Sequence, residues 1–421
     1  MSSSSHEVIL TSSADGPIMA YEASTGATIA HFTGSRSPCR GLTMAGQGFI
    51  AASHVFSDTG LGSIHIYNWY TSTVFNNFPV PEPVAPLIAT SDGDFLFAGG
   101  VSGTIHSLSL HSGDLIKSFS AHSKPISTLQ LSDDGSLVIS GSDDGTIVVM
   151  PTFRLVESST SSVEEDPKEL ILYKWKAHFD SVTAFNSRIG LCSSSLVSCS
   201  LDCTCKFWCL SSGIIIQTVT FPCAIFGIAM DSTESGFYAA GADGLVYNVT
   251  MKVGSRKVVG KSYELMTWPQ SHGGAIVSLV LVNEGKNLVS AGEDGSVWMW
   301  DVENGEVTMV MGNNDMGISI SDMIVARGTN VYGVRKHNAA GEASDFNSLG
   351  IYDEEMIKTM KQITELGNVT NVVAQDKTKA IDMLGSAIAM YERLLKLILK
   401  EATKAIEEAE EEEKEDEKED K

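Results

Sequence analysis

The chain has 421 residues, of which 43% are hydrophobic and 19% are charged, and its net charge is -23. This apolar content is enough to bury a large core, which excludes a wholly disordered protein. The acidic excess repels phosphate backbones, so direct, non-specific nucleic-acid binding by the main body is disfavoured. Glycine is frequent, at 38 residues against 11 prolines, which is typical of a protein with many tight turns.

Two segments bear on where the chain resides. Residues 1–6 show no positively charged start followed by an apolar stretch, so we expect no secretion and reduced cysteines. The most apolar window, residues 213–230, has two strand-length halves around Phe221-Pro222. We therefore interpret it as two strands and not as a membrane span.

A repeat organises residues 6–326. Each copy has a short apolar strand, a tight turn built on Asp or Gly, and a second short strand. The equivalent turn positions are Gly16, Gly62, Gly103, Gly145, Cys203, Gly244 and Gly295. They are spaced by 46, 41, 42, 58, 41 and 51 residues. A base period just above 40 residues predicts seven four-stranded propeller blades.

The two ends of the repeat array are expected to meet. The first repeat has no room for an innermost strand, because only seven residues precede Val8. The segment 317–326 follows the seventh repeat and has the length of a strand. We predict that it completes the first blade and closes the ring, which leaves no long exposed sheet edge. The spacing of 58 reflects an acidic, Ser-rich loop insertion over residues 154–172.

Polar residues recur at matching positions in several repeats. Two repeats carry a His before the blade, a Ser in the second strand, an Asp in the turn and a Trp in the third strand. These predicted tetrads are His178, Ser198, Asp202 and Trp208, and His272, Ser290, Asp294 and Trp300. A third repeat carries His122, Ser140 and Asp144, with Met150 in the Trp position. Ser, His and Asp together also suggest a catalytic triad, but an active site is expected once, whereas this set recurs. We therefore interpret the tetrads as structural and expect no catalytic residue.

With Trp300-Asp301 ending a third strand and Ser271-His272 upstream, the repeats resemble the WD-repeat family. The resemblance implies an all-β, seven-bladed WD-repeat β-propeller, in which each His, Ser, Asp and Trp set forms a buried hydrogen-bonded network. Residues 8–16 and 60–69, together with the tail described below, are similar to a narrower group, the WD-repeat subunits of the Rix complex.

What this narrower resemblance implies is a non-catalytic scaffold in 60S ribosomal subunit assembly and pre-rRNA processing. Its implied partners are the other Rix-complex subunits, the pre-60S particle and, through them, a midasin-type ATPase. The implied location is the nucleus, in the nucleolus and nucleoplasm, with the cytoplasm as a further site. In plants the group is linked to meristem and root formation.

The pattern changes from strands to helix after a linker at residues 327–350. Residues 351–406 form a predicted α-helical coiled-coil extension, and residues 407–421, with 11 acidic residues and three lysines, a disordered acidic tail. Apolar residues recur there in unbroken steps of three and four: Ile381, Leu384, Ile388, Tyr391, Leu395, Ile398, Ala402 and Ala405. This heptad seam could pack on the chain's own propeller or pair with another chain, either a second copy or a Rix partner. Its length favours pairing between chains, as a homodimer or hetero-oligomer.

Other site types are disfavoured. Cys199, Cys203, Cys205 and Cys209 suggest a zinc site, but their placement along two strands favours core filling. No Gly-rich loop with a phosphate-binding Lys occurs, so we expect no cofactor and no metal. An alternative function is that of a substrate receptor of a cullin-type ubiquitin ligase. That class usually carries an Arg two places after the Trp-Asp pair, where this chain has Glu303.

Overall fold

The described part of the chain is built from seven four-stranded antiparallel sheets. The computed structural model describes residues 7–327, apart from residues 15, 47, 57–59, 70, 133, 158–170, 190–193, 211, 232–235, 252–262 and 313–318. The predicted linker beyond residue 327, the helical extension, its seam from Ile381 to Ala405 and the acidic tail lie outside the described residues.

The strands are given in chain order. Blades 1 to 3 comprise β1 (Glu7–Ser13), β2 (Ile18–Glu22), β3 (Thr28–Phe32), β4 (Leu42–Ala45), β5 (Phe49–Val55), β6 (Gly62–Asn68), β7 (Asn76–Pro79), β8 (Val84–Ala89), β9 (Phe95–Gly100), β10 (Thr104–Ser109) and β11 (Leu115–Ser120). Blades 4 and 5 comprise β12 (Ile126–Leu131), β13 (Leu137–Ser142), β14 (Thr146–Pro151), β15 (Tyr173–Lys176), β16 (Val182–Ile189), β17 (Ser194–Ser200), β18 (Thr204–Cys209) and β19 (Ile214–Thr220). Blades 6 and 7 comprise β20 (Ile225–Met230), β21 (Gly236–Gly241), β22 (Leu245–Met251), β23 (Tyr263–Ser271), β24 (Ile276–Val282), β25 (Asn287–Gly292), β26 (Val297–Asp301) and β27 (Glu306–Met311). The last strand, β28 (Ile320–Arg327), is the innermost strand of blade 1. Two short helices accompany them, α1 (Thr152–Val156) and a 3₁₀ turn (Asn283–Gly285).

The sheets form a closed ring. The innermost strand of each blade contacts the innermost strand of the next blade. In blade 1 this strand is β28, which contacts both β24 of blade 7 and β4 of blade 2. Seven hydrophobic clusters lie between successive pairs of blades. Each sheet is therefore covered on both faces, which is why a strand such as β14 is a continuous apolar run and not an alternating one. The sequence prediction of an all-β, seven-bladed propeller is confirmed.

The ring is closed by both ends of the repeat array, as predicted. Strand β28 pairs with β1 in antiparallel register, from Glu7 opposite Arg327 to Thr11 opposite Met323. The pairing continues through Ser12 opposite Asp322 to a register shift before Ser13, where the hydroxyls of Ser12 and Ser321 lie 3.2 Å apart. The closing strand begins three residues later than the predicted segment and ends one residue later.

Five of the seven predicted turn positions have the left-handed backbone that such a turn requires, namely Gly103, Gly145, Cys203, Gly244 and Gly295. At Gly145, a Cβ atom would lie 2.4 Å from the carbonyl oxygen of His178, so the position requires a bare backbone on steric grounds too. The prediction for Gly62 is wrong, because the turn in blade 2 is longer. Gly62 is the first residue of β6, and Gly60 has the positive φ of 66°.

The insertion between β14 and β15 is not a plain loop at its start. Residues Thr152–Val156 form α1, whose Leu155 is buried in the cluster between blades 3 and 4. The expectation of a loop from residue 154 is therefore wrong there, because one apolar side chain anchors the first turn to the core. Residues 158–170 lie outside the described residues.

The apolar window at residues 213–230 forms β19 and β20, as predicted. In the described ranges, no helix has the length and apolar character needed to cross a bilayer.

Cys199 and Cys205 lie directly opposite each other on β17 and β18 and are joined by a disulfide. The expectation that every cysteine is reduced is wrong for this pair, because the strand register brings their side chains together. Both lie in the core between blades 5 and 6.

Candidate functional site

The structure brings the predicted tetrad of blade 7 together. The indole nitrogen of Trp300 donates to Ser290 Oγ over 2.7 Å, and Ser290 Oγ lies 2.7 Å from His272 Nε2. On the other side of the imidazole ring, Nδ1 lies 3.0 Å from Ser296 Oγ and 3.5 Å from Asp294 Oδ1. The ring of Trp298 stacks on His272 with 4.3 Å between centroids.

Blade 5 repeats this arrangement. Trp208 Nε1 donates to Ser198 Oγ over 2.9 Å, Ser198 Oγ lies 2.8 Å from His178 Nε2, and His178 Nδ1 lies 3.1 Å from Asp202 Oδ2. Because the indole occupies one lone pair of the serine oxygen, the hydroxyl hydrogen can donate to Nε2. Nδ1 then carries the ring proton toward the carboxylate.

Blade 4 holds the partial set. His122 Nε2 lies 2.8 Å from Ser140 Oγ, and His122 Nδ1 lies 2.8 Å from Thr146 Oγ1 and 3.7 Å from Asp144. Met150 fills the Trp position and is fully buried. The serine here has no indole donor, and its hydroxyl lies 3.4 Å from the carbonyl oxygen of Val148.

Burial keeps these histidines neutral. Desolvation lowers the pKa of His178 and of His122 to about 4, although the nearby carboxylates favour the charged form. Burial raises the pKa of Asp202, but hydrogen bonds from Thr204 and from the Phe179 amide outweigh it and hold that pKa below its ordinary value. A neutral imidazole thus bridges a serine and an ionised carboxylate.

The tetrads cannot present a nucleophile to a substrate. Ser198 and Ser290 are completely buried, and each hydroxyl is already engaged by an indole and an imidazole. The arrangement satisfies buried polar groups inside each blade. It also joins blades, because the His178 amide donates to the carbonyl of Gly145 in blade 4 over 2.9 Å.

A second polar cluster crosses the centre of the ring, at the end where the innermost strands begin. Arg40, in the loop before β4, donates to Thr128 Oγ1 of blade 4 over 3.1 Å and to the carbonyl of Phe226 in blade 6. Its charge also acts on Asp322 of β28, which accepts hydrogen bonds from the amides of Leu42 and Met323. One side chain therefore contacts blades on opposite sides of the channel.

Burial of this cluster shifts the pKa of its acidic residue, Asp322. Burial raises the pKa of Asp322 to about 6, although the Arg40 charge lowers it in part. Arg40 itself has a φ of 60°, a left-handed conformation that costs a non-glycine residue about 1 kcal/mol. Such a strained backbone is retained where the side chain has a fixed position to reach.

Comparison with known proteins agrees with this architecture. The family described as WD domain, G-beta repeat (WD40) matches residues 113–149, 170–209 and 263–301. These segments include the His, Ser and Asp positions of the three networks and the Trp positions of the two tetrads, and the first segment ends one residue before Met150. The chain belongs to the WD-repeat family.

Among curated relatives, the chain is 33% identical to Protein ROOT INITIATION DEFECTIVE 3 of Arabidopsis thaliana, over 70% of this chain and 66% of that protein. It is 25% identical to human WD repeat-containing protein 18, over 68% of this chain and 64% of that protein. It is 23% identical to the Pre-rRNA-processing protein crb3/ipi3 of Schizosaccharomyces pombe, over 56% of this chain and 60% of that protein. The matches thus span about two thirds of the length of these relatives, or slightly less.

A likeness to a solved structure supports the fold alone. The computationally designed Ika8 protein superposes with a TM-score of 0.51 at 18% identity, over 73% of this chain and 85% of that one. Within the described ranges, no group of three His, Cys, Asp or Glu side chains is placed to hold a metal ion.

The sequence reasoning missed the cross-channel cluster. Arg40 belongs to no repeat motif of the WD-repeat family, and its partners Thr128, Phe226 and Asp322 lie 88, 186 and 282 positions away in the chain. The available signal was indirect, because Asp322 lies inside a strand that was already predicted to close the ring.

Proposed function

We propose that the chain is a non-catalytic scaffold of a Rix-type complex that acts in 60S ribosomal subunit assembly and pre-rRNA processing. In plants this role would support meristem and root formation. The partners proposed are the other Rix-complex subunits, the pre-60S particle and a midasin-type ATPase. The proposed location is the nucleus, in the nucleolus and nucleoplasm.

One observation carries the proposal. The chain matches a plant protein named for a root-initiation defect, and it matches pre-rRNA-processing proteins of two fungi, Schizosaccharomyces pombe and Yarrowia lipolytica, over more than half of its length. Similarity to both groups fits a shared role in ribosome assembly. Root formation would then depend on this role, because a fast-growing tissue needs many new ribosomes.

The geometry supports a scaffold over an enzyme. The His–Ser–Asp sets are engaged by side-chain hydrogen bonds within their own blades and recur in three blades, and in two of them an indole also donates to the serine. A rigid ring of seven blades offers several loops for different partners, which suits assembly of a multisubunit complex. The alternative, a cullin-type ubiquitin ligase receptor, is disfavoured by Glu303 in the place of that class's Arg.

The test is an affinity purification of the tagged full-length chain from nuclear extract, followed by mass spectrometry and by analysis of pre-rRNA after depletion. We expect Rix-complex subunits and 60S proteins to co-purify and large-subunit precursors to accumulate. Recovery of cullin adaptors without ribosomal precursors would instead favour the alternative.

We further propose that the heptad seam pairs with another chain. Changing Leu395 and Ile398 to Asp introduces charges at two seam positions and should abolish self-association of the purified chain. Light scattering measures the mass, with Glu392→Asp as a conservative control outside the seam. An unchanged mass for the double variant would contradict self-pairing.

A further inference from the structure

Two neighbouring hollows lie on one face of the propeller, at the end where the innermost strands finish. The outer hollow lies between blades 2 and 3 and has a volume of about 270 Å³. The inner hollow is the mouth of the central channel, with a volume of about 550 Å³. The Arg40 cluster lies toward the other end of the same channel, where the innermost strands begin.

The outer hollow is an apolar groove with exposed aromatic rings. Its lining includes Phe49 and Phe75, which are 38% and 61% exposed and whose ring centroids lie 5.8 Å apart. Ile66, Phe78 and Leu110 form the base. Two large exposed rings over an apolar base are costly in water, and such a patch usually marks a binding surface.

The channel mouth combines aliphatic and hydroxyl groups. Its aliphatic lining includes Met44, Leu131 and Ile324 from three innermost strands. The exposed Ser91 stands at its rim, and Thr43 brings a second hydroxyl group to its lining. It can therefore accept both an apolar side chain and the polar groups of a peptide backbone.

Two glycines lie side by side at the ridge between the two hollows. Gly46 lines the channel mouth and Gly93 lines the outer groove, and a Cβ atom on either would lie within about 3.3 Å of the other residue's Cα. Both glycines have positive φ, of 65° and 79°. Because neither glycine has a Cβ atom, an extended chain can pass close to the backbone at these two positions from one hollow into the other.

The charges on this face favour a partner with positive charge. Asp92 and Asp94 flank Gly93, and Asp114 follows the turn that contains His111. The pKa of Asp92 is held below its ordinary value by hydrogen bonds from Thr90 and from the Asp94 amide, so its carboxylate stays ionised. Among the described lining residues of both hollows, none is Lys or Arg.

We propose that this face binds an extended basic peptide segment of a partner protein. An aromatic or large aliphatic side chain of the peptide occupies the groove at Phe49 and Phe75, its backbone crosses the Gly46–Gly93 ridge, and a flanking Lys or Arg lies beside Asp92 and Asp94. The outer groove is smaller than the ~300–1,000 Å³ of typical small-molecule pockets, which suits one anchoring side chain. The surface rests on geometry and charge alone and does not depend on the proposed role in ribosome assembly.

The test uses the full-length chain and fluorescein-labelled synthetic 12-residue peptides. One peptide carries a single Phe between pairs of Lys in a Gly/Ser background, a second replaces the Lys by Glu, and a third replaces the Phe by Ser. We expect fluorescence anisotropy to detect the first peptide, with at least tenfold weaker binding of the other two. Binding of the first peptide should weaken as salt rises from 50 to ~300 mM, because the contacts with the carboxylates are solvent-exposed.

Three variants locate the site. Phe75→Ser should weaken binding at least tenfold, Asp94→Asn about threefold with a reduced salt dependence, and Ser91→Trp should block the channel mouth from its exposed rim. Phe179→Ala is the matched control, because Phe179 is 94% exposed on blade 5 and lies outside both hollows. Near-ultraviolet circular dichroism checks that each variant is folded.

Several outcomes would overturn the inference. They are no binding of the basic peptide, equal binding of the acidic peptide, and unchanged binding by the folded Phe75→Ser variant. Sedimentation distinguishes a further occupant: a dimer of the full-length chain that Phe75→Ser dissociates would mean that a second copy covers this groove.

Discussion

At the scale of single residues, the hydroxyl oxygen of each tetrad serine is the central atom of its hydrogen-bond network. Ser290 Oγ accepts from the indole of Trp300 and contacts His272 Nε2, and all three side chains are buried. Removing this one oxygen leaves an indole N–H and an imidazole nitrogen without partners in a site that water cannot reach. An unsatisfied buried donor costs more than the net worth of the bond that it made.

We therefore expect Ser290→Ala to lower the free energy of unfolding by about 2–4 kcal/mol, from two unpaired buried groups at about 1–3 kcal/mol each with partial relaxation. Urea titration followed by tryptophan fluorescence measures the change. Ser72→Ala removes a hydroxyl from an exposed loop position and is the control. A cost for Ser290→Ala as small as that of the control would mean that the network contributes no stability.

The buried histidines make stability depend on pH. His122 and His178 have a folded pKa of about 4, below the ~6.5 of an unfolded histidine, so the unfolded state binds more protons between these values. Stability is then lost as pH falls through this window. Asp322 acts in the opposite direction, because its folded pKa of about 6 lies above that of an unfolded carboxyl group. The stabilisation that Asp322 contributes to the folded state is fully present at low pH and is lost as pH rises through about 6.

The histidine effect should dominate. Between pH 7.5 and 5, two histidines contribute about 4 kcal/mol of destabilisation, against about 1.4 kcal/mol of opposite sign from Asp322. Urea unfolding at the two pH values should therefore show a net loss of a few kcal/mol. The same loss should persist in His111→Gln, since that side chain is 76% exposed. Equal stability at both pH values would argue against neutral buried imidazoles.

At the scale of strands and loops, the inner strands are joined to one another by side chains as well as by packing. Ser127 of β12 donates to the carbonyl of Val182 over 2.5 Å, and Ser278 of β24 donates to the carbonyl of Met323 over 3.2 Å. Arg40 adds contacts that are not between neighbours, since it joins the loop before β4 to β12 and β20. The inner strands are thus held both around the ring and across it.

Arg40 and Asp322 should be energetically coupled. Arg40→Met leaves the buried Asp322 carboxylate without a compensating charge and should lower stability by about 3–5 kcal/mol. Combining it with Asp322→Asn should cost about 1–3 kcal/mol less than the sum of the single changes. Urea unfolding of the four proteins gives the coupling energy, and Arg36→Met, at an exposed position, is the control. Strict additivity would contradict the coupling.

The elements that repeat were predictable, and those that occur once were not. Blade number followed from the turn spacing, and the closing role of β28 followed from the absence of a strand before Val8. Helix α1 was missed because a single buried Leu155, without a helical pattern, anchors it. The groove at Phe49 and Phe75 was also missed. Phe49 begins β5 and Phe75 lies in the loop before β7, so the two rings meet only in the folded blade.

At the scale of the whole molecule, the ring depends on its last strand. Without β28, blade 1 has only β1, β2 and β3, and β1 presents an unpaired edge toward the channel. Asp322 would be lost at the same time, together with its hydrogen bond to the Leu42 amide of blade 2. Closure therefore affects the packing of blades 7, 1 and 2 at once.

A chain that ends at residue 319 should consequently fail to form a stable monomer, whereas one that ends at residue 350 should retain the propeller. We expect the shorter chain to aggregate or to unfold without cooperativity, since an open sheet edge invites pairing between molecules. Size-exclusion chromatography and thermal unfolding distinguish the two. A monomeric and cooperative shorter chain would show that six complete blades suffice.

Closure by β28 also sets the order of events during synthesis. Strands β1 to β3 leave the ribosome before the strands of the other blades, but they lack their inner neighbour until residue 327 has emerged, some three hundred residues later. Throughout that interval the nascent chain carries an incomplete first sheet whose free edge could pair wrongly. A chaperone that shields β1 until the last strand arrives would therefore raise the yield of correctly closed rings.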